Sequence, residues 1–534
     1  MSHRHAAGSG CVICRAAAEA AGTGLRTGGD APASPGRRRA LGALAAAPLA
    51  GAGALGALGA PRARAQDAGG PPEGRFAIRA GWVLVETEAG EPALREDASV
   101  IVDGDRIEDV IDGSAGGLAT VEAPGMLLLP GFISGHTHAC SATPTRGIIE
   151  GGRSFAVPLL KVEALSDEEM DALTAFNVAE LLLSGCTGHV EMSLSLRQAE
   201  SYVRVAEAWG VRGWPGGMIP GISRLFPIWF RRDDQALLDA EAETLAEIEA
   251  NLAFGRAHMG KGEGRIMPMI SPHATDTHTP ATMDAMAAAA RELGTGIHIH
   301  LAQRGGEAEA TERMWGMSPF EYCRAHGLTE GPFFGAHLSA FDFEADAEAF
   351  REAGAVYAHC PSAGGAGGGT QPWPEALAAG MATNIGIDTH SNDYVENLKL
   401  AVLYGQARHS LLGEEGRARP TVWTAVDAAT RQAADGLGRP DLGRIKAGAK
   451  ADLAAVDVSG FLVGTGARPP EPLNNLLYAS GASVRHVLTD GRWQVWNGTL
   501  HVADPDAVRR AGGEAAERVW AMLREEDWFT ETPR

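Results

Sequence analysis

Leu129-Pro130-Gly131-Phe132-Ile133-Ser134-Gly135-His136-Thr137-His138 joins an apolar run to two histidines spaced one residue apart. On a β-strand alternate side chains point to the same side, so His136 and His138 project together from the strand's end. Two imidazoles placed this way form a natural pair of ligands for a divalent metal, with bonds of about 2.0–2.1 Å. Such pairs also occur without a metal, so the weight of this one depends on what the rest of the chain brings to it.

Downstream, apolar strands alternate with amphipathic helices. Candidate strands end near Phe132, Met192, Met218, Ser271, Leu301, Ala336, Cys360 and Asp388. Ser166-Asp167-Glu168-Glu169 and Ser318-Pro319-Phe320-Glu321 fit a capping box, and Thr279-Pro280 puts proline at the first helical position. Gly294 and Gly354 stand where helix C-caps belong. Eight strand–helix alternations predict an α/β fold, a (β/α)8 TIM barrel over residues 128–439. The rival, a doubly wound open sheet, lacks the Gly-rich phosphate turn it needs after the first strand. On either side of the barrel the texture is β-hairpin. Val100-Ile101-Val102-Asp103-Gly104-Asp105-Arg106-Ile107 reads as strand, tight turn, strand. Ala451 to Val456, Val484 to Leu488, the Asp490-Gly491 turn and Trp493-Gln494-Val495 repeat the pattern. These segments predict a small β-sandwich domain built from 75–127 and 440–505, followed by a helical tail over 506–534.

Three later strand ends also carry ligand-type side chains. Ile297-His298-Ile299-His300-Leu301 should turn one histidine to the barrel mouth, and His300 is the favoured one. Phe333-Phe334-Gly335-Ala336-His337 ends the next strand in a histidine, and Ala382 to Asp388 ends the last in an aspartate. A carboxylate beside a metal-activated water is a ready general base. Taken singly, His337 reads equally as a core histidine and Asp388 as a helix cap. Taken together, strand ends one, five, six and eight deliver these groups to one face of the barrel.

The set Pro130-Gly131-Phe132-Ile133 through His138, His300, His337 and Gly386-Ile387-Asp388 resembles the amidohydrolase superfamily. Within it the chain is most similar to the branch of cytosine deaminase, guanine deaminase, S-adenosylhomocysteine deaminase and the triazine hydrolases. Ser184-Gly185-Cys186-Thr187-Gly188, Pro272-His273-Ala274, His359-Cys360-Pro361-Ser362, Asp388-Thr389-His390-Ser391-Asn392 and Gly448 to Leu453 extend the match. The resemblance implies a single divalent metal, Zn²⁺ or Fe²⁺, on His136, His138, His300 and Asp388. It implies Asp388 as the base that takes a proton from water, and His337 as the group that polarises water and substrate. His273 is implied to face the substrate, with a packed loop histidine as the alternative. Branches with two metals use a lysine at the end of strand four; here Met267-Pro268-Met269-Ile270-Ser271 has none.

One position departs from the deaminase pattern, which has Glu three residues after the strand-five histidine. Here Gln303 stands there, and an amide can hydrogen-bond substrate but not shuttle a proton. Either Asp388 and His337 handle every proton, or the leaving group needs less protonation, or another acid such as Glu307 reaches in. Arg146, Glu150 and Arg153, and the Gly-rich Ala363 to Thr370 with Gln371-Pro372-Trp373-Pro374, are expected at the pocket rim.

The expectation is therefore an exported metal-dependent amidohydrolase that hydrolyses a C–N bond of a small molecule. The alternatives are removal of a non-nitrogen leaving group such as halide from a heterocycle, and a non-catalytic binding protein that keeps the metal. The 534-residue chain carries a net charge of −21, which disfavours nucleic acid and acidic membranes as partners. Six cysteines in such a length are not a disulfide scaffold. Residues 1–65 read as address: Arg37, Arg38 and Arg39 precede the uncharged Ala40 to Ala60, then Ala63-Arg64-Ala65 offers a cleavage pattern before Gln66. This resembles a twin-arginine (Tat) signal. It predicts a periplasmic or secreted protein with no stable membrane insertion after cleavage, the alternative being an anchor made by the same segment. Cys11-Val12-Ile13-Cys14 would be discarded with it. The family resemblance implies a homodimer or homotetramer.

Overall fold

The computed structural model describes residues 70–530, except 155, 226–227, 229–233, 368, 390 and 465–467. The export-type segment and the Cys11–Cys14 pair lie outside the described residues. Among those described, no helix is long and apolar enough to cross a membrane.

Sixteen strands are described. The first four are β1 (Arg75–Glu86), β2 (Pro92–Asp103), β3 (Arg106–Asp112) and β4 (Ala119–Pro130). Eight short ones follow in alternation with helices: β5 (Phe132–Thr137), β6 (Cys186–Ser193), β7 (Arg212–Ile219), β8 (Ser271–Pro272), β9 (Ile297–Leu301), β10 (Phe333–His337), β11 (Val356–His359) and β12 (Ala382–Ile385). The last are β13 (Leu453–Asp457), β14 (Val484–Thr489), β15 (Arg492–Trp496) and β16 (Thr499–Leu500).

The two ends of the chain share one mixed sheet, ordered β16-β15-β14-β13-β4-β1-β2-β3. β4 lies parallel to β1 and antiparallel to β13, and so joins the two halves. Period-two alternation sorts its side chains. Phe76, Ile78, Val83, Val100, Val102, Leu128, Leu453 and Leu488 fill the core of the sandwich, whereas Trp82, Leu84, Leu127 and Leu129 pack with the barrel's residues. The Asp490-Gly491 turn has both residues at positive φ, as a tight hairpin requires.

β5–β8 and β9–β12 form two parallel four-stranded sheets. Single parallel bridges, Ile270 to Ile297 and Thr137 to Asp388, link them on both sides and close the cylinder. Ile133, Val190, Trp214, Met269, Phe334 and Val356 pack together in its interior with Ala433, Leu437 and Leu442. The expected α/β barrel with its composite β-domain is therefore present, with one displacement at the start. The first barrel strand begins at Phe132 and does not end there. Pro130 closes β4, opposite Leu453, and the Gly131 N–H turns to the carbonyl of Asp452. Proline ends the ladder and the chain swings from one sheet into the other.

Ser166 and Glu169 form a full capping box, Thr279 caps a helix with Pro280 in its first turn, and Gly294 is a left-handed C-cap. Ser318 caps its helix by accepting from the Glu321 N–H, and Gly354 follows the C-cap residue Ala353. Arg212 on β7 ties barrel to sandwich: its guanidinium reaches Asp452 at 2.8 Å and Asp490 at 2.5 Å, and is only 1% exposed. The helix Pro505–Glu525 packs on Asp167–Leu183 through Met170, Leu173, Ala515, Ala516, Val519 and Leu523. Gly512 sits at their crossing, where a Cβ would lie 2.4 Å from Phe176.

Candidate metal centre and active site

His136 on β5 and His138 just past its end lie with their rings 4.7 Å apart. β9 carries His298 and His300, two residues apart. One ligand nitrogen from each of His136, His138 and His300 falls within 4.8 Å of the others, in a buried cluster.

Hydrogen bonds fix which ring nitrogen is available. His138 Nδ1 lies 2.5 Å from the carbonyl of Met192, and His300 Nδ1 lies 2.8 Å from that of His273. A carbonyl only accepts, so both Nδ1 atoms carry the proton and both Nε2 atoms present lone pairs. These two Nε2 atoms face each other at 3.4 Å with no proton to share. His136 Nε2 is buried with no hydrogen-bond partner, while its Nδ1 lies 2.7 Å from His298 Nε2. Three converging lone pairs, one orphaned and two opposed, are the surroundings a divalent cation satisfies. The residues fit the metal.

Burial disfavours the imidazolium form of His300 and His136. It pulls His300 down to about 4, and holds His136 well below the usual histidine value with help from the neighbouring rings.

Asp388 follows β12 with φ of +63°, in the left-handed region that costs an ordinary residue free energy. Its N–H donates to the His136 carbonyl at 3.1 Å. Its carboxylate lies 3.5 Å from His138 Nε2 and 3.8 Å from His337 Nε2. Burial pushes this carboxyl up to about 7, opposed by hydrogen bonds from Thr389; a cation beside it would act in the opposite direction. Gly386 admits the convergence, since a Cβ there would stand 2.8 Å from Cys360 Sγ and 3.0 Å from His136 Cβ.

His136, His138, His300, His337 and Asp388 are thus brought together. His273 is close, its ring 5.2 Å from that of His300. Its carbonyl orients His300, a backbone contribution that the residue's identity does not announce. Gln303 is buried just past β9. Glu307, the other candidate acid, is engaged by the turn after His300. Its carboxylate accepts from the N–H groups of Ala302 and Gln303 and from the Thr275 hydroxyl, pinning the turn that follows His300. The rim arginines are also engaged within the protein. Arg146 forms a two-pronged pair with Glu180, and Arg153 donates to the carbonyls of Trp528 and Phe529.

Two further polar residues of the site lie outside the favoured ligand set. His298 is one, and its spacing from His300 puts it on the same strand face. Gln371 is the other: it belongs to the loop expected at the pocket rim, and it contacts His337, His359 and Cys360 at once, which its sequence alone does not announce.

Comparison with known proteins agrees with this geometry. A 5-methylthioadenosine/S-adenosylhomocysteine deaminase of Natronomonas pharaonis is 30% identical over 454 residues, 83% of this chain and 95% of its own. One from Symbiobacterium thermophilum is 31% identical over 399 residues, 72% and 85% of the two chains. Among solved structures, an adenosine deaminase from Xanthomonas campestris with bound zinc superposes with a TM-score of 0.68 at 22% identity, over 84% of this chain and 100% of the other. An atrazine chlorohydrolase from Arthrobacter aurescens TC1 complexed with zinc gives 0.68 at 21%, over 83% and 100%. These two share the fold. Residues 127–493 match the amidohydrolase family, and with the histidine cluster at the mouth of its barrel the chain belongs to that family.

Proposed function

We propose that this amidohydrolase, a metal-dependent hydrolase of small molecules that acts on carbon–nitrogen bonds, removes an amino group from an uncharged, apolar-substituted amino-heterocycle. The observation that carries the reading is the convergence of three imidazole Nε2 atoms beside the Asp388 carboxylate.

His136, His138 and His300 would hold the metal, zinc being the ion bound in two proteins of the same fold, with Asp388 completing the set. Such an ion supplies Lewis acidity and lets water be deprotonated near neutrality. Asp388 accepts the proton of the attacking water. His337, 3.8 Å from the same carboxylate, stabilises charge that develops on the substrate. Gln303 holds the substrate by hydrogen bonding and moves no proton, so Asp388 also returns the proton to the leaving nitrogen. His273 borders the same space. The substrate's character follows from the mouth. Ile149, Leu159, Met192, Met218, Ile222 and Leu225 make an apolar cluster beside the carboxyl ends of β6 and β7, and Arg146 and Arg153 are already committed to protein groups.

Zinc-loaded protein tested for ammonia release from 5-methylthioadenosine and adenosine, with the zwitterionic S-adenosylhomocysteine as the charged comparison expected to be the poorer substrate, checks this directly. Stoichiometric zinc with no ammonia from any of them would overturn it. A second reading, loss of halide, is favoured by Gln303 alone, because a halide leaves without a proton. Chloride release from atrazine, measured in the same assay, would select it. Export through the Tat-like segment belongs to this proposal on the strength of Arg37 to Arg39 and the uncharged run after them. N-terminal sequencing of the protein from its producing cell should find Gln66 first.

A further inference from the structure

Gln371 lies between the helices Pro361–Ala366 and Trp373–Ala378 and is 5% exposed. Its Oε1 receives the backbone N–H of Cys360 at 2.8 Å and stands 3.0 Å from His359 Nδ1. A backbone N–H can only donate, so the oxygen end of the amide is fixed at Cys360. The NH2 end is then the one facing His337 Nδ1, at 3.1 Å. That NH2 is itself only a donor, so His337 Nδ1 accepts. A neutral imidazole that accepts at Nδ1 carries its proton on Nε2, and Nε2 is the atom turned toward Asp388.

We propose that Gln371 is a positioning residue that locks His337 in its Nε2–H tautomer, so that His337 meets the substrate as a hydrogen-bond donor and stays out of the metal's coordination. The direction of every hydrogen bond follows from one obligate donor, the Cys360 N–H. The contrast with the metal-side histidines is complete: His138 and His300 face carbonyls at Nδ1 and offer lone pairs inward, whereas His337 faces a donor at Nδ1 and offers a proton inward. This also disposes of a tempting second metal site. Ligand atoms of His136, His337 and Cys360 lie within 4.8 Å of one another, but the central ring presents N–H to that space.

The inference rests on His337 being the group that meets the substrate. Gln371→Glu tests it at constant shape. The carboxylate still accepts from Cys360 and His359, but now accepts from His337 as well, moving the ring's proton to Nδ1 and baring a lone pair on Nε2. In zinc-loaded, 15N-histidine-labelled protein, with the His337 signal assigned by its loss in His337→Asn, the wild type should show the proton on Nε2 and Gln371→Glu on Nδ1. On whichever compound of the panel is turned over, kcat should fall roughly 10²–10³-fold, as for loss of one preorganised donor. Zinc content and melting temperature should stay near wild type. Wild-type His337 protonated on Nδ1 would overturn the proposal, as would a Gln371→Glu protein with unchanged tautomer and kcat. Should that variant not fold, the wild-type spectrum alone decides. A wild type that turns over nothing would sink the proposed function and leave the tautomer result standing.

Discussion

Thr137 and Asp388 meet in one of the two parallel bridges that close the barrel among the described residues, so the residue proposed as base is held by the same backbone that carries His136 and His138. Asp388→Asn keeps the left-handed backbone, which asparagine tolerates, and removes the proton acceptor. Turnover should fall roughly 10²–10⁴-fold while zinc content and melting temperature stay close to wild type. Full activity in steady-state assays would refute the assignment.

His298 should govern how tightly the metal is held. For His136 Nε2 to offer a lone pair, its Nδ1–H must donate to His298 Nε2, 2.7 Å away. His298→Leu removes the acceptor and should weaken zinc affinity about 10–100-fold. His298→Gln, whose carbonyl can accept, should recover most of it. Chelator competition on both variants, with thermal melts of the metal-free proteins as a control for folding, checks this without any substrate.

Arg212→Leu should be among the most damaging changes outside the active site. It leaves Asp452 and Asp490 buried without the guanidinium that bridges them, at a cost of about 3–5 kcal/mol. Urea unfolding measures it. Burial raises the Asp490 carboxyl, but Arg212 and Lys450 outweigh it and hold the group below its ordinary 3.8. That share of stability is present above the ordinary value and disappears only in more acid solution.

Acid should destabilise the protein earlier than this, through buried histidines outside the metal set. Burial holds His189, His278 and His486 at about 4 and His359 at about 3, against an ordinary 6.5. Between those values the unfolded chain binds protons that the folded one does not, so stability falls as pH drops from 6.5 toward 4. His486 packs against Trp493 and Trp496 in the β-domain. His486→Phe keeps an aromatic ring there and should make unfolding free energy less steep with pH, by about one proton's worth. An unchanged slope would exclude His486 as a contributor.

The barrel and five of its candidate site side chains were legible because strand ends are short-range features: an apolar run, then a ligand-type residue. Those same side chains converge because parallel strands deliver their carboxyl ends to one face. What could not be read was which atom each side chain offers. That depends on partners far away in the chain, the Met192 carbonyl for His138 and Gln371 for His337. The partners of the rim arginines were hidden for the same reason. Arg146 and Arg153 look available in a loop, and their partners Glu180, Trp528 and Phe529 come from elsewhere in the chain. In sequence the barrel reads as starting at residue 128, and only the pairing of β4 with β13 shows that residues through Pro130 belong to the β-domain's sheet.

That pairing has a consequence for biosynthesis. On the ribosome, Met126 to Pro130 emerges early, yet its neighbour Leu453 to Asp457 is made only after the whole barrel has been translated. The apolar edge of the first sheet therefore waits uncovered through most of elongation, and the molecule reaches its finished form only when translation is nearly over.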